Sequence, residues 1–258
     1  MKIFHRAFSF AEVLLTITVI GVVAALTMPG IVNKHKKEVY VSQLAKSISQ
    51  FEQMLQKIMV RAECTDMICT GLFNGATNSS EWNDRMDEEV NQSIKVIKTV
   101  RDGQAVMPRI RSVYLKPKDD YTSQMDWADP NGYKFITPDG AFYLVKSRQC
   151  EATPKSDTSI IKNFCADVII DVNGERLPNQ YGRDLFQFIV AQNGHLYPIY
   201  SLEYAIAVEG NEASKGALYW ENNMDACIAN IKNDYKVTSS KGIGCAARVM
   251  GRSWKMDY

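Results

Sequence analysis

Residues 7–33 read AFSFAEVLLTITVIGVVAALTMPGIVN, and between Arg6 and Lys34 the only ionisable side chain is Glu12. Residues 8–28 alone form 21 consecutive positions with no basic group. At about 1.5 Å per helical residue this run crosses a hydrocarbon layer roughly 30 Å thick, whereas the apolar part of a secretory signal needs only about 7–15 residues. It reads as a membrane helix. The run also lacks a small-x-small exit before Pro29-Gly30, which argues against a cleaved secretory signal. Lys2 and Arg6 precede it and Lys34, Lys36 and Lys37 follow it, so basic flanks do not set its orientation.

Beyond this run the chain turns polar, and the mean hydropathy of the whole is mildly negative. An anchored, water-soluble domain fits those two facts; a polytopic or disordered chain does not. A formal charge of +1 over 258 residues offers no basic excess of the kind nucleic-acid binders use, so no nucleic-acid partner is expected. All six cysteines (Cys64, Cys69, Cys150, Cys165, Cys227 and Cys245) lie after the apolar run. An even count on one side of a span suggests export of that side to an oxidising space. The sequence-local pairs Cys64–Cys69, Cys150–Cys165 and Cys227–Cys245 are the expected ones, with buried free thiols as the alternative.

Glu12 is the anomaly, because a carboxylate in a membrane helix is costly and usually has a partner or a task. The run Ala7-Phe8-Ser9-Phe10-Ala11-Glu12-Val13-Leu14-Leu15, after the basic leader MKIFHR, resembles the processing site of type IV prepilins and type II secretion pseudopilins. In that family a prepilin peptidase cuts on the cytoplasmic side before a Phe or Met and N-methylates the new amine. The resemblance implies a cut between Ala7 and Phe8, which puts Glu12 fifth in the mature chain, where the family has its glutamate. Gly21 and Pro29 fall where the family's helix loosens, and Ala7 departs from the usual Gly while remaining small. The implied task for Glu12 is to neutralise the Phe8 ammonium of an adjacent subunit, which sets register as helices pack. The implied partners are other pilin or pseudopilin subunits, the peptidase and an inner-membrane assembly platform. The implied location is the bacterial inner membrane, single-pass, with the C-terminal head outside the cytoplasm and later in a filament.

From Val41 the apolar residues Leu44, Ala45, Ile48, Phe51, Leu55, Ile58 and Met59 recur three or four apart, with Lys46, Gln50, Glu52, Gln53, Gln56 and Lys57 between them. This is an amphipathic helix laid on a soluble domain. The expected organisation is a leader at 1–7, a helix at 8–63 whose part 8–29 is the transmembrane and assembly segment, and a globular head at 64–258. A kink is expected near Gly21 or Pro29. Residues 64–91 are polar and turn-rich and read as a loop with at most a short helix. Candidate strands follow at 94–100, 110–115, 134–137, 141–146, 167–171, 186–190 and 195–199. Turn signals Asp102-Gly103, Asn131-Gly132, Asp139-Gly140, Asn173-Gly174 and Asn193-Gly194 separate them and argue for antiparallel hairpins. Residues 221–235 read as a late helix, and a Gly-rich stretch then leads into a C-terminal strand or extended tail through Trp254. The fold class is α+β: a long N-terminal helix, membrane-spanning and then amphipathic, packed on an antiparallel sheet, which is also the pilin-like arrangement the resemblance implies.

A second likeness lies in Asp171-Val-Asn173-Gly174-Glu175-Arg-Leu-Pro178-Asn179-Gln-Tyr-Gly182-Arg-Asp184-Leu-Phe186. It looks like the D-x-N-G-x-x-x-P-N-x-x-G-x-D-x-F segment of many pilin-like heads, followed there, as here at Gly194 and Pro198, by a Gly-x-x-x-Pro hairpin. Asn173-Gly174 suits a tight turn. Asp171, Asn173, Glu175, Asn179 and Asp184 are hard oxygen donors of the type Ca²⁺ takes, although the spacing is not that of an EF-hand. Two readings stand: a calcium site, or a hydrogen-bonded structural loop with no cofactor.

Catalytic signatures are absent from the sequence. It has no G-x-S-x-G elbow, phosphate loop, H-E-x-x-H or C-x-x-C, and its histidines are His5, His35 and His195. The expected function is therefore structural, a pilus or pseudopilus subunit, and not enzymatic. The alternative is a single-pass anchored binding protein for sugar or DNA; Trp82, Trp127, Trp220 and Trp254 could serve it as aromatic platforms, but scattered tryptophans are far more often core or hairpin staples.

Overall fold

A computed structural model describes residues 9–75, 79–100, 132–152, 160–174, 176–199, 201, 203, 227, 242–256 and 258. Helix α1 spans Phe10–Arg61, 52 residues, and contains Pro29. It is helical through both Gly21 and Pro29, the positions at which the sequence suggests loosening. Its first half is bare: Phe10, Leu15, Ile20, Leu26 and Ile31 are all at least 62% exposed. By length and composition this helix is able to cross a membrane. The helix stops where Glu63 takes φ 53°, and the Cys64 N–H then closes on the Met59 carbonyl at 2.9 Å, capping the last turn.

The chain divides into two compact units, one ending at Val39 and one beginning at Tyr40. The second unit therefore starts inside α1. The physical reason is the change of pattern there: from Tyr40 and Val41 onward, Leu44, Ile48, Phe51, Leu55 and Ile58 are buried at helical spacing. They meet an antiparallel meander of β1 (Lys98–Val100), β2 (Tyr133–Ile136), β3 (Phe142–Ala152), β4 (Asn163–Asp171), β5 (Leu185–Ala191) and β6 (Leu196–Pro198), each strand beside its sequence neighbour.

Period-two alternation sorts the strand residues between the two faces of the sheet. Phe135, Tyr143, Ile170 and Phe186 are cross-strand partners in one row, as are Tyr133, Val145, Val168 and Phe188 in the next. Both rows join the α1 residues in one core. Phe51 stacks on Tyr143 at 5.8 Å between ring centroids, and Tyr143 on Phe135 at 4.7 Å. The opposite face carries a smaller cluster of Phe142, Leu144, Ile169, Tyr181 and Leu185. Asp171, two residues beyond Ile169, belongs by alternation to this second face.

Two segments differ from expectation. The region read as a loop holds α2 (Met67–Thr70) and a 14-residue helix α3 (Ser80–Ser93). Ser79 caps α3 by accepting the Trp82 N–H, and Trp82, Met86 and Val90 line its buried face. The polar composition hid a single apolar stripe at spacing four. The C-terminal stretch is a helix, α4 (Cys245–Gly251), and not a strand or tail. Ala246 and Val249 enter the main core from it, and two adjacent alanines favour helix despite the flanking glycines. The candidate strand at 110–115 and most of the candidate helix at 221–235 lie outside the described residues. Disulfides join Cys64 to Cys69, Cys150 to Cys165 and Cys227 to Cys245.

Candidate functional site

Two groups of residues carry the chemistry singled out by the sequence. The first is the start of α1. Ala7 and Phe8 lie outside the described residues, and Glu12 stands in the first helical turn. Its Oε2 accepts the Ser9 backbone N–H at 2.8 Å, while Ser9 Oγ accepts the Glu12 N–H at 3.3 Å. This is a reciprocal capping box, which satisfies two otherwise unpaired donors and places the carboxylate at the positive end of the helix dipole. Glu12 thus has a partner within its own chain, one the intersubunit reading does not supply. The signal was available, because Ser9-x-x-Glu12 has the spacing of that motif.

The second group is the turn from β4 to β5. Asp171 Oδ1 accepts the N–H groups of Asn173 and Gly174 at 3.1 and 3.0 Å. Asp184 closes the far side, with Oδ2 accepting from Asn179 N at 2.7 Å and Oδ1 from Gln180 N at 2.6 Å. The Val172 N–H donates to the Asp184 carbonyl at 2.9 Å, so the two ends of the turn are tied by main chain as well. Gly174 has φ 64°, and a Cβ there would lie 2.2 Å from the Gly140 carbonyl oxygen, so only glycine fits. Asn179 turns its amide nitrogen, in the orientation that satisfies its surroundings, toward the Gly174 and Arg176 carbonyls at 3.2 and 2.7 Å. Its role is therefore to close the loop. Asn173 Nδ2 donates to the Tyr40 hydroxyl at 3.4 Å, which links the turn to the helix side of the same compact unit.

Both carboxylates are fully buried. Burial, and after it the charge of Asp184, push the Asp171 carboxyl well above the usual range. Burial raises Asp184 to about 6 against the opposing N–H bonds from Gln180 and Asn179. Asp171 Oδ2 and Asn173 Oδ1 are buried without a hydrogen-bond partner. The turn therefore brings together Asp171, Asn173, Asn179 and Asp184 of the sequence-singled set, while Glu175 lies outside the described residues. Among the described residues no group of three or more His, Cys, Asp or Glu side chains is assembled for a metal. Burial of the two aspartates was not legible beforehand, since a D-x-N-G segment by itself reads as exposed turn.

Comparison with known proteins leaves these observations to stand on their own: no protein-family model, no curated protein and no solved structure matches the chain.

Proposed function

We propose that this chain is a structural subunit of a pilus or secretion pseudopilus. It is cut after Ala7, N-methylated at Phe8, held in the inner membrane by the first half of α1, and polymerised through that same segment. The observation that carries the reading is Glu12, the one ionisable residue between Arg6 and Lys34, set five positions after the Ala7/Phe8 junction in the apolar first half of a helix that runs on into a folded head. The exposed apolar half of α1 supports it, because such a surface needs either lipid or neighbouring helices around it. The three disulfides in the head support an extracytoplasmic location.

In this reading Glu12 serves two states in turn. In the bilayer its charge is held by the Ser9 N–H and the helix end. In the filament it faces the Phe8 ammonium of the adjacent subunit, and a subunit entering at the wrong axial offset leaves one of the two charges unpaired among apolar side chains. The test is a comparison of membrane insertion and sheared-filament yield for wild type, Glu12→Leu and Ser9→Ala. Glu12→Leu is expected to insert normally and to lose most of its filaments, whereas Ser9→Ala, which removes only the cap, keeps them near wild-type yield. Wild-type filament yield from Glu12→Leu overturns the proposed role.

A further inference from the structure

Within the amphipathic half of α1, Lys46, Gln50, Gln53 and Lys57 follow one another at spacings of four, three and four, so they share one face of the helix. From Lys46 to Lys57 this row runs roughly 16 Å along the axis, at about 1.5 Å per residue. It lines a groove of about 350 Å³, whose remaining walls are the C-terminal end of α3 with Ile94 and Lys95, and the β2–β3 turn. That volume lies at the small end of the range for ligand sites. The charges around the groove do not cancel. Lys46 Nζ lies 2.7 Å from Asp139 Oδ2, and the Thr137 hydroxyl donates to Oδ1 of the same carboxylate at 2.5 Å, so that pair is closed on itself. Lys57 Nζ donates to the Ser93 carbonyl at 3.0 Å, which engages a neutral acceptor and leaves its charge uncompensated. Neither Lys57 nor Lys95 forms an ion pair with a described residue, and three lysines against Asp139 leave the groove positive. A separate deficit stands beside this one. Gln50 Oε1 is buried without a hydrogen-bond partner, a costly state for an acceptor. A molecule that answers both deficits brings a negative charge and, next to it, a hydrogen-bond donor.

We propose that this groove binds an acidic saccharide of the uronate class, its carboxylate held by Lys57 and Lys95 and a ring hydroxyl donating to Gln50 Oε1. A sugar acid carries both required functions on one ring. Sulfate brings charge without a donor. An acidic peptide brings charge and N–H donors, but Ile94 and Pro138 are the apolar residues lining the groove, which leaves little surface on which peptide side chains are buried. Gln53 and Thr137 add an amide and a hydroxyl, groups that both donate and accept as successive ring hydroxyls require. No aromatic ring is among the described residues lining the groove, so recognition rests on charge and hydrogen bonds and not on stacking against a sugar face. Neutral sugars therefore bind weakly. Every residue of the groove belongs to the head, so the proposal does not depend on the filament reading.

The experiment is calorimetric titration of the full chain in detergent with four probes: a galacturonate trimer, the neutral galactose trimer, sulfate and hexaglutamate. The galacturonate trimer is expected to bind at one site per chain, with affinity that falls as salt is raised, and each of the other three at least about tenfold more weakly. The double variant Lys57→Gln with Lys95→Gln removes both uncompensated charges while keeping polar donors, and is expected to lose at least about tenfold in affinity for the galacturonate trimer. Gln50→Met removes the buried acceptor at similar volume and is expected to weaken the same probe without lowering the unfolding temperature. Lys98→Gln, on β1 and outside the groove, binds as wild type. Absence of heat with the galacturonate trimer in wild type overturns the proposal, and so does equal affinity for the galactose trimer. Equal or tighter binding of sulfate or hexaglutamate overturns the saccharide assignment. Wild-type affinity in the folded double variant overturns the placement of the carboxylate. The wild-type titrations decide the ligand class without requiring any variant to fold.

Discussion

Asp139 illustrates how a single side chain adjusts to partial burial. Burial alone pushes its carboxyl up, but hydrogen bonds from Lys46 and Thr137 outweigh this and hold it below the usual value. Lys46 Nζ lies 2.7 Å from Oδ2. Because the folded pKa is the lower one, the contribution to stability is present above the unfolded value near 4 and is lost as pH falls through the folded value. Lys46 is 55% exposed, so solvent screening limits the pair to a few tenths of a kcal/mol. Wild type is expected to exceed Asp139→Asn by about that amount at pH 6 and to lose the advantage progressively as the pH falls below about 4, measured by urea unfolding of the full chain in detergent. An advantage that persists unchanged at pH 3 contradicts the assignment. Residues of this kind mark the limit of sequence reading. Ser9-x-x-Glu12 announces its hydrogen bonds by spacing, whereas the Lys46–Asp139 pair joins a helix to a hairpin turn 93 positions away and becomes visible only in the fold.

Among the elements, the amphipathic half of α1 does most to hold the head together. Phe51 is 1% exposed and stacks with Tyr143 and Phe135 at ring-centroid distances of 5.8 and 6.5 Å. Phe51→Ala is expected to destabilise the head by about 3–5 kcal/mol, through lost burial and the cavity left beside the Tyr143 and Phe135 rings. Val60 on the same helix is 75% exposed, and Val60→Ala is expected to stay within about 0.5 kcal/mol. Chemical unfolding followed by near-ultraviolet circular dichroism checks both; a loss below about 1 kcal/mol for Phe51→Ala contradicts this account of the core. The helix stripe and the strands β2 to β6 were legible because apolar residues recur at spacings of three to four and of two, and because Asn-Gly and Asp-Gly pairs separate the hairpins. α3 was obscured because its stripe is only Trp82, Met86 and Val90 among charged neighbours. The depth of those side chains is fixed by contacts distant in sequence, such as the Trp82 Nε1–H bond to the Leu72 carbonyl at 2.9 Å. α4 was obscured by glycines that read as turn, although its alanines favour helix.

For the whole molecule, the division at Tyr40 separates two kinds of surface within one helix. From Phe10 to Val32 the chain presents apolar side chains to its surroundings; from Tyr40 it buries them in a disulfide-stapled head. The fold class follows from that switch of pattern, whereas the use made of the exposed half rests on the proposed processing at Ala7. Removing residues 1–7 discards Lys2 and Arg6, so a precursor of net charge +1 becomes a mature chain of −1, and the new amine at Phe8 becomes available to Glu12. The direct test is intact-mass and N-terminal fragment analysis of the chain isolated from membranes. The account predicts a chain lacking residues 1–7 and beginning with N-methylated Phe8. A chain that retains Met1, or one cut after Pro29, contradicts it and favours a tethered binding head instead.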